Sequence, residues 1–488
     1  MPHPRTPVLV GVGQLLYRDQ DLAQPVEPVD MMLAALKQAE EDSQSRILSS
    51  VQSVRVIRGL WRYGNPGGYL AEAIGAPGAQ TVGTLFGGNH VQALLNRSCL
   101  EILGGELDVV ALTGAENGHT LNKAYRAGLT LPTQELPGEP DLKIGTQRVE
   151  FHEAEAARGI RMPTQVYPIY ENAIRYARGE SVAEHLKRIS ELWARFNEIG
   201  LTNPNAWIQE RYSAETIRTP GPTNRPISFP YTKLMNANSN VDMSAALLLC
   251  SVEKARALGV PESLWIYPHA GTEGYDLPSA SVRQDLHSSP AIRLAGQRLF
   301  ELAGVGPDDF DWVDLYSCFP SVVQIAAQEL GLDETRPLTL TGGLTFGGGP
   351  LNNYVMHSIA RTVEKLREDP SKKALVTANG GNIEKHALAI YSGVPPSQDF
   401  QWASVQDEID RLPARVARIE YAGPVDLESY AVMYQGDTPS VAHCACLTPQ
   451  GERTWVNLED PDLIQAMTET EFCGRSGQID SAGQLILD

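Results

Sequence analysis

Long hydrophobic runs are missing from this chain. Among its 488 residues, no stretch of about 18 or more uncharged apolar residues occurs, so no spanning helix is expected. A signal-peptide core is lacking too. Pro7-Val8-Leu9-Val10-Gly11-Val12-Gly13 is too short for one, has no cleavage pattern after it, and reads as a buried first strand. Cysteine is scarce: Cys99, Cys250, Cys318, Cys444, Cys446 and Cys473 are spread out with no CxxC pair. Cys444 and Cys446 flank His443 on a strand-like run, which offers too few ligands for zinc, and no metal is expected. Scattered free cysteines read as buried thiols in a reducing, cytoplasmic setting. Positive charge is in deficit, with 40 Lys and Arg against 59 Asp and Glu and a net charge of −19. That balance argues against nucleic acid or an anionic membrane as partner. It leaves room for an anionic ligand held by local basic groups or helix N-termini.

What is present is an α/β pattern with an internal repeat. The length suggests two to four domains, and 42% hydrophobic with 20% charged residues is a globular composition. The first copy runs from Thr84-Leu85-Phe86-Gly87-Gly88-Asn89 through an apolar helix (Val91, Leu94, Leu95, Cys99) to the strand Asp108–Gly114. The second runs from Thr345-Phe346-Gly347-Gly348-Gly349-Pro350 through Val355, Ile359 and Val363 to the strand Ala374–Gly380. Short apolar strands alternating with helices imply a buried sheet in mixed layers, and the repeat implies two similar halves. Leu264–Tyr267 reads as a strand opening the second half. Residues 130–165 read as loops, and Glu180–Ile199 as an amphipathic helix. After about residue 405, the runs 416–421, 429–434 and 440–447 read as strands, and 460–467 as a short helix. The expected division is 1–117 with 236–260 as the first half, 118–235 as an inserted loop or lid domain, 261–404 as the second half, and 405–488 as a small β-rich domain.

Several of these pieces, in this order, resemble the thiolase superfamily up to about residue 400. They are Val10–Gln14, the unit 84–114, Asn240–Ala246, Asp314–Phe319, Gly342–Leu351 and Thr377–Asn382. The appended domain makes the chain similar to thiolase-like protein type 1, a group labelled acetyl-CoA acetyltransferases. The resemblance implies a five-layer αβαβα fold with duplicated halves, an inserted loop domain and an added C-terminal domain. It also implies coenzyme A thioesters as ligands, and either a homodimer or a partner protein. Carried over by motif, the thiolase nucleophile falls at Gly88 and the second cysteine at Ala378. The activating histidine falls at Gly349 and the water-positioning residue at Tyr316. Cys318, two residues on, is a cysteine in sterol-carrier-linked thiolases as well.

Glycine cannot be acylated and alanine cannot carry a proton, so ordinary thiolase chemistry is not expected. Tyr316, His386, Cys318 and His90 are the candidate catalytic groups, since tyrosine can serve as acid or base in retro-aldol cleavage of an acyl-CoA. Candidate ligand contacts are Asn89, Gly348, Gly349, Asn352, Asn379 and Asn382, with Arg225 and Lys233 toward the CoA phosphates. Backbone N–H groups at Asn89 and at Gly348-Gly349 can stabilise a thioester oxygen or enolate. Structural roles compete: Asn379 and Asn382 suit turns, Asn352 and Asn353 suit a helix cap, and His357 suits packing within a helix. Three functions follow. The first is an acyl-CoA enzyme using retro-aldol cleavage or thioester hydrolysis. The second is a non-catalytic acyl-CoA or lipid binder or partner subunit. The third is an acetyl-CoA acetyltransferase.

Overall fold

A computed structural model describes residues 2–146 and 150–488. Two sheets carry the same strand logic. In the first, the order is Pro7–Leu16, Asp242–Ser251, Val109–Asn117, Ser53–Val56, Gln80–Thr84 and Leu142–Ile144. Its first two pairings are antiparallel and the rest parallel. In the second, Tyr267–Tyr275, Lys385–Ser392 and Lys373–Gly380 pair antiparallel in turn, and Lys373–Gly380 then pairs parallel with Trp312–Asp314. Gln401–Ser404 adds a parallel edge. The duplicated halves are therefore the same four-strand pattern built twice.

Two helices lie between these sheets. His90–Leu103 and Tyr354–Glu368 both touch strands of both sheets. They are buried nearly all round, so polar residues facing inward must find partners. Gln92 donates to Asn96 and accepts from the Tyr391 hydroxyl. Pro28–Ser43 covers the outer face of the first sheet and Pro290–Ala303 that of the second. The result is five layers, helix-sheet-helix-sheet-helix, with each apolar sheet face covered.

A third sheet holds the C-terminal strands Ala417–Arg418, Arg453–Leu458, Thr438–Leu447, Gly423–Gln435, Ser476–Ile479 and Leu485–Leu487. Pro226–Phe229, from the insertion, joins it by pairing with Gly423–Gln435. The insertion also contributes the helices Pro163–Arg178 and Val182–Thr202. Among the described residues, no helix is long and apolar enough to cross a membrane.

Three local expectations change. Residues 262–264 form a 3₁₀ turn, so the strand opening the second half begins at Tyr267. The run 416–421 pairs over only Ala417–Arg418, because it lies at a sheet edge with one neighbour. Within 130–165, Leu142–Ile144 is a strand of the first sheet and Glu153–Ala156 a short helix.

Candidate active site

The two halves meet at their glycine turns. A Cβ built on Gly88 would stand 2.7 Å from Tyr316 Oη, with the Asn379 carbonyl closer still. A Cβ on Gly380 would stand 2.6 Å from Asn89 Oδ1 and 3.1 Å from Gly88 N. Backbone therefore runs against backbone, and no side chain fits at 88 or 380 without movement. Asn352 ties the same junction: its Oδ1 accepts from Gly87 N (3.1 Å), and its Nδ2 donates to Arg58 O (2.7 Å). Its neighbour Asn353 donates to Gly114 O (2.8 Å). These asparagines clamp the two halves together, and neither caps its helix with its side chain.

Tyr316 fills the space that a nucleophile at 88 would need. Its N–H donates to Thr377 Oγ1 (2.9 Å), and its ring meets Tyr354 edge-on at 5.5 Å. Its hydroxyl makes no hydrogen bond among the described residues. Burial raises the phenol far above its ordinary value, with Cys318 adding to the shift. The Cys318 thiol is pushed up to about 12 by burial, against the pull of the Tyr167 hydroxyl beside it. Burial thus favours the protonated form of both groups. Asn89 is 1% exposed, and neither atom of its amide has a partner among the described residues; Asn379 Oδ1 is also unpartnered. Buried polar atoms left open in this way are costly unless something fills them.

Tyr167 and Tyr170 are the site residues that sequence reasoning missed. Both come from helix Pro163–Arg178 of the insertion. Tyr167 donates to Gly381 O (2.9 Å) and accepts from Asn379 Nδ2 (3.3 Å), while Tyr170 donates to Asn382 O (3.3 Å). The signal was a pair of tyrosines three apart, on one face of an amphipathic helix in an otherwise polar insertion. They grip a strained turn: Ile383 sits at φ +63°, a region β-branched residues avoid at a cost of about 1–3 kcal/mol. Arg283 donates to the Ile383 carbonyl (3.1 Å), and His386 Nε2 lies 3.0 Å from it.

The structure thus gathers Tyr316, Cys318, Asn89, Asn379 and Gly88 at one junction. It stations His386 behind the turn, where burial pushes its imidazole down to about 4. His90 begins the central helix with its ring between Gly87 and Gly145, and burial with nearby Lys385 pushes it down to about 4. Both histidines are neutral at pH 7. His357 packs against Gln14 within its helix. The Asn382 side chain turns outward to Glu150 O (3.5 Å). Glu384 bonds Asn382 N with one carboxylate oxygen, and burial, with Glu150 nearby, pushes it up to about 8.

The second glycine turn is built differently. Asp314, fully buried, accepts from Leu340 N (2.7 Å), Thr341 N (3.2 Å), Thr339 Oγ1 (3.1 Å), Ser358 Oγ (2.7 Å) and Tyr354 Oη (3.1 Å). Gly348 holds φ +103°, with Met243 Sδ 2.5 Å from where its Cβ would be, so only glycine fits. The Gly349 N–H, expected to face a ligand, instead donates to Asn238 O (2.9 Å). Arg225 and Lys233 are exposed and joined through Lys233 N to Arg225 O (2.9 Å). Among the described residues, no hydrogen bond or ion pair joins their side chains to Gly88 or Tyr316, and Arg225 Nη1 donates to Pro226 O (3.3 Å). No cluster of three or more His, Cys, Asp or Glu that could hold a metal occurs among the described residues.

The doubled strand pattern around two central helices is the thiolase fold. Within that class, the chain belongs to the SCP2-thiolase-like protein type 1 family. Over their whole lengths it is 32% identical to the monomeric SCP2-thiolase-like protein type 1 of Mycobacterium smegmatis, covering 100% of each chain at a TM-score of 0.86. Residues 404–484 match the additional C-terminal domain of thiolase-like protein type 1. A steroid side-chain-cleaving aldolase of Thermomonospora curvata is 28% identical over 209 residues, 40% of this chain and 51% of that protein. An acetyl-CoA acetyltransferase of Methanothermobacter thermautotrophicus is 23% identical over 246 residues, 47% and 61% of the two chains. The chain thus spans roughly half to three-fifths of these curated relatives.

Proposed function

We propose that the chain binds a CoA thioester where its halves meet and cleaves a 3-hydroxyacyl-CoA by a retro-aldol step. The observation that carries this reading is the Tyr316 hydroxyl, free of hydrogen bonds among the described residues and standing where a nucleophile at Gly88 would be. The step balances without an acyl-enzyme. The 3-hydroxyl loses its proton, and the bond between carbons 2 and 3 breaks. An aldehyde or ketone leaves, and the electron pair moves toward the thioester carbonyl. Carbon 2 then takes a proton, giving the shortened acyl-CoA.

Burial keeps the Tyr316 phenol neutral. It therefore acts as a relay, passing its own proton to carbon 2 as it accepts the one from the hydroxyl. The Gly88 and Asn89 backbone N–H groups stand at the start of the buried helix His90–Leu103. They are suited to stabilising the enolate oxygen, where a helix N-terminus favours negative charge. Asn89 and Asn379 offer amide atoms to the thioester, with Asn352 holding the turn beside them. Arg225 and Lys233, ahead of Ala237 whose N–H donates to Cys318 O (3.0 Å), are assigned to the CoA phosphates. The similarity to a steroid side-chain-cleaving aldolase supports carbon–carbon cleavage over acyl transfer.

Tyr316→Phe tests this. With a panel of 3-hydroxyacyl-CoAs, release of aldehyde or ketone should fall about 10²–10⁴-fold, while calorimetric CoA binding stays as in the parent. Unchanged turnover would remove Tyr316 from the mechanism. Binding with no turnover of any substrate by the parent chain would leave a binding role in its place.

A further inference from the structure

Beside the first glycine turn lies a pocket of about 360 Å³ whose walls include Arg58, Trp61, Tyr63, Phe86 and Lys143. The Arg58 guanidinium lies 4.9 Å from the Trp61 ring centre and 5.5 Å from that of Phe86. It is partly buried, and among the described residues it has no hydrogen bond and no ion pair. Arg58 and the buried Glu116 attract one another through space, but the Glu116 carboxylate bonds Leu60 N (3.0 Å), and Glu139 pairs with Lys143. A guanidinium clasped by two aromatic faces, with no carboxylate in hydrogen-bond contact, is arranged to receive one. Trp61 and Tyr63 stack at 5.2 Å and add flat apolar wall. Phe86 is 46% exposed, large for an aromatic in so apolar a setting.

The pocket is also wired to the junction. Asn352 bonds Arg58 O with one side of its amide and Gly87 N with the other. Arg58 N donates to Thr84 Oγ1 (2.9 Å). The pocket wall Thr84-Leu85-Phe86 runs on directly into Gly87-Gly88. A molecule reacting at Gly88 therefore has this pocket within reach along the same backbone.

We propose that this pocket is a second subsite for the same ligand, receiving a negatively charged group carried on a flat apolar body. It rests on the CoA-thioester reading for the rest of that ligand. Two parts of such a molecule have this chemistry: an acyl group bearing a carboxylate, and the nucleotide end of CoA, which would then sit here in place of Arg225 and Lys233.

Calorimetric titration of the full chain and of Arg58→Leu separates the two. The probes are adenosine 3′,5′-bisphosphate, benzoyl-CoA and 4-carboxybenzoyl-CoA. The bonds that hold the turns come from the Arg58 backbone, so the variant is expected to fold, and its thermal melt checks this. If the nucleotide end occupies the pocket, all three probes lose tenfold or more in affinity. If the acyl carboxylate does, only 4-carboxybenzoyl-CoA loses tenfold or more, and raised salt weakens its binding to the parent more steeply than to the variant. Either result supports the subsite. Parent-like affinity of Arg58→Leu for all three overturns it while leaving the CoA reading intact. No binding of any probe by the parent overturns both. Should Arg58→Leu not fold, Arg58→Gln, which also removes the charge, gives the same comparison, and its binding all probes as the parent does overturns the subsite.

Discussion

At Gly88 an added carbon would run into Tyr316 Oη and Asn379 O, whereas at Gly349 it would meet nothing nearer than 3.4 Å. Neither turn carries a side chain at this position, but only the first is closed over by its neighbours. The polar surroundings differ as well. Around Gly349, Asp314 collects six donors and the backbone N–H is bonded. Around Gly88, the Asn89 amide and Asn379 Oδ1 have no hydrogen-bond partner among the described residues. The second turn is a finished piece of scaffold, and the first is finished only in its sterics. Its open polar groups are where a ligand would complete the structure.

The contrast can be sharpened electrostatically at Glu384, where the largest effect is expected. Its folded carboxyl is raised to about 8, against about 4.3 in an unfolded chain. Between those values the folded chain holds the extra proton. Stability therefore falls as pH rises through the window, by up to about 1.4 kcal/mol per pH unit. Glu384→Gln keeps a neutral group and should melt with a flatter pH dependence from 5 to 8; parallel curves would show that Glu384 is ionised when folded. Next in size is Gly88→Cys. Overpacking against Tyr316 and Asn379 should cost about 1–3 kcal/mol in urea unfolding, and thiolysis of acetoacetyl-CoA should stay at background. A variant as stable as the parent would show that the turn can back away. Smallest is Gly349→Ala, expected within about 0.5 kcal/mol of the parent. A larger loss would erase the distinction between the turns.

Much of this architecture was legible in local pattern. The two Gly-Gly turns, the helices after them and the Val-rich strands predicted doubled halves, because each element carries its own period and stop signals. The blanks at Gly88 and Gly349 were legible for the same reason. What sequence could not supply was which distant groups close on them. Tyr167 reaches Gly381 O across 214 positions, and Asn352 reaches Gly87 N across 265. Neither contact leaves a trace in hydrophobic periodicity. The strained Ile383 was equally hidden, since an isoleucine gives no hint of a left-handed backbone. His386 looked like chemistry for want of that turn; once Ile383 is seen, the histidine has a carbonyl to hold.

The helix that carries Tyr167 has a further bearing on how the molecule is made. Asn172 on that helix donates to Tyr430 O (2.7 Å), 258 positions later, and Arg175 pairs with Glu471, 296 positions later. Pro226–Phe229 also waits for a strand beginning at Gly423. At about 5–20 residues per second of synthesis, the insertion spends on the order of tens of seconds without the partners that fix it. Both halves can form their sheets in that interval. The junction at Gly88, which takes two of its tyrosines from the insertion, is completed only as the final domain arrives.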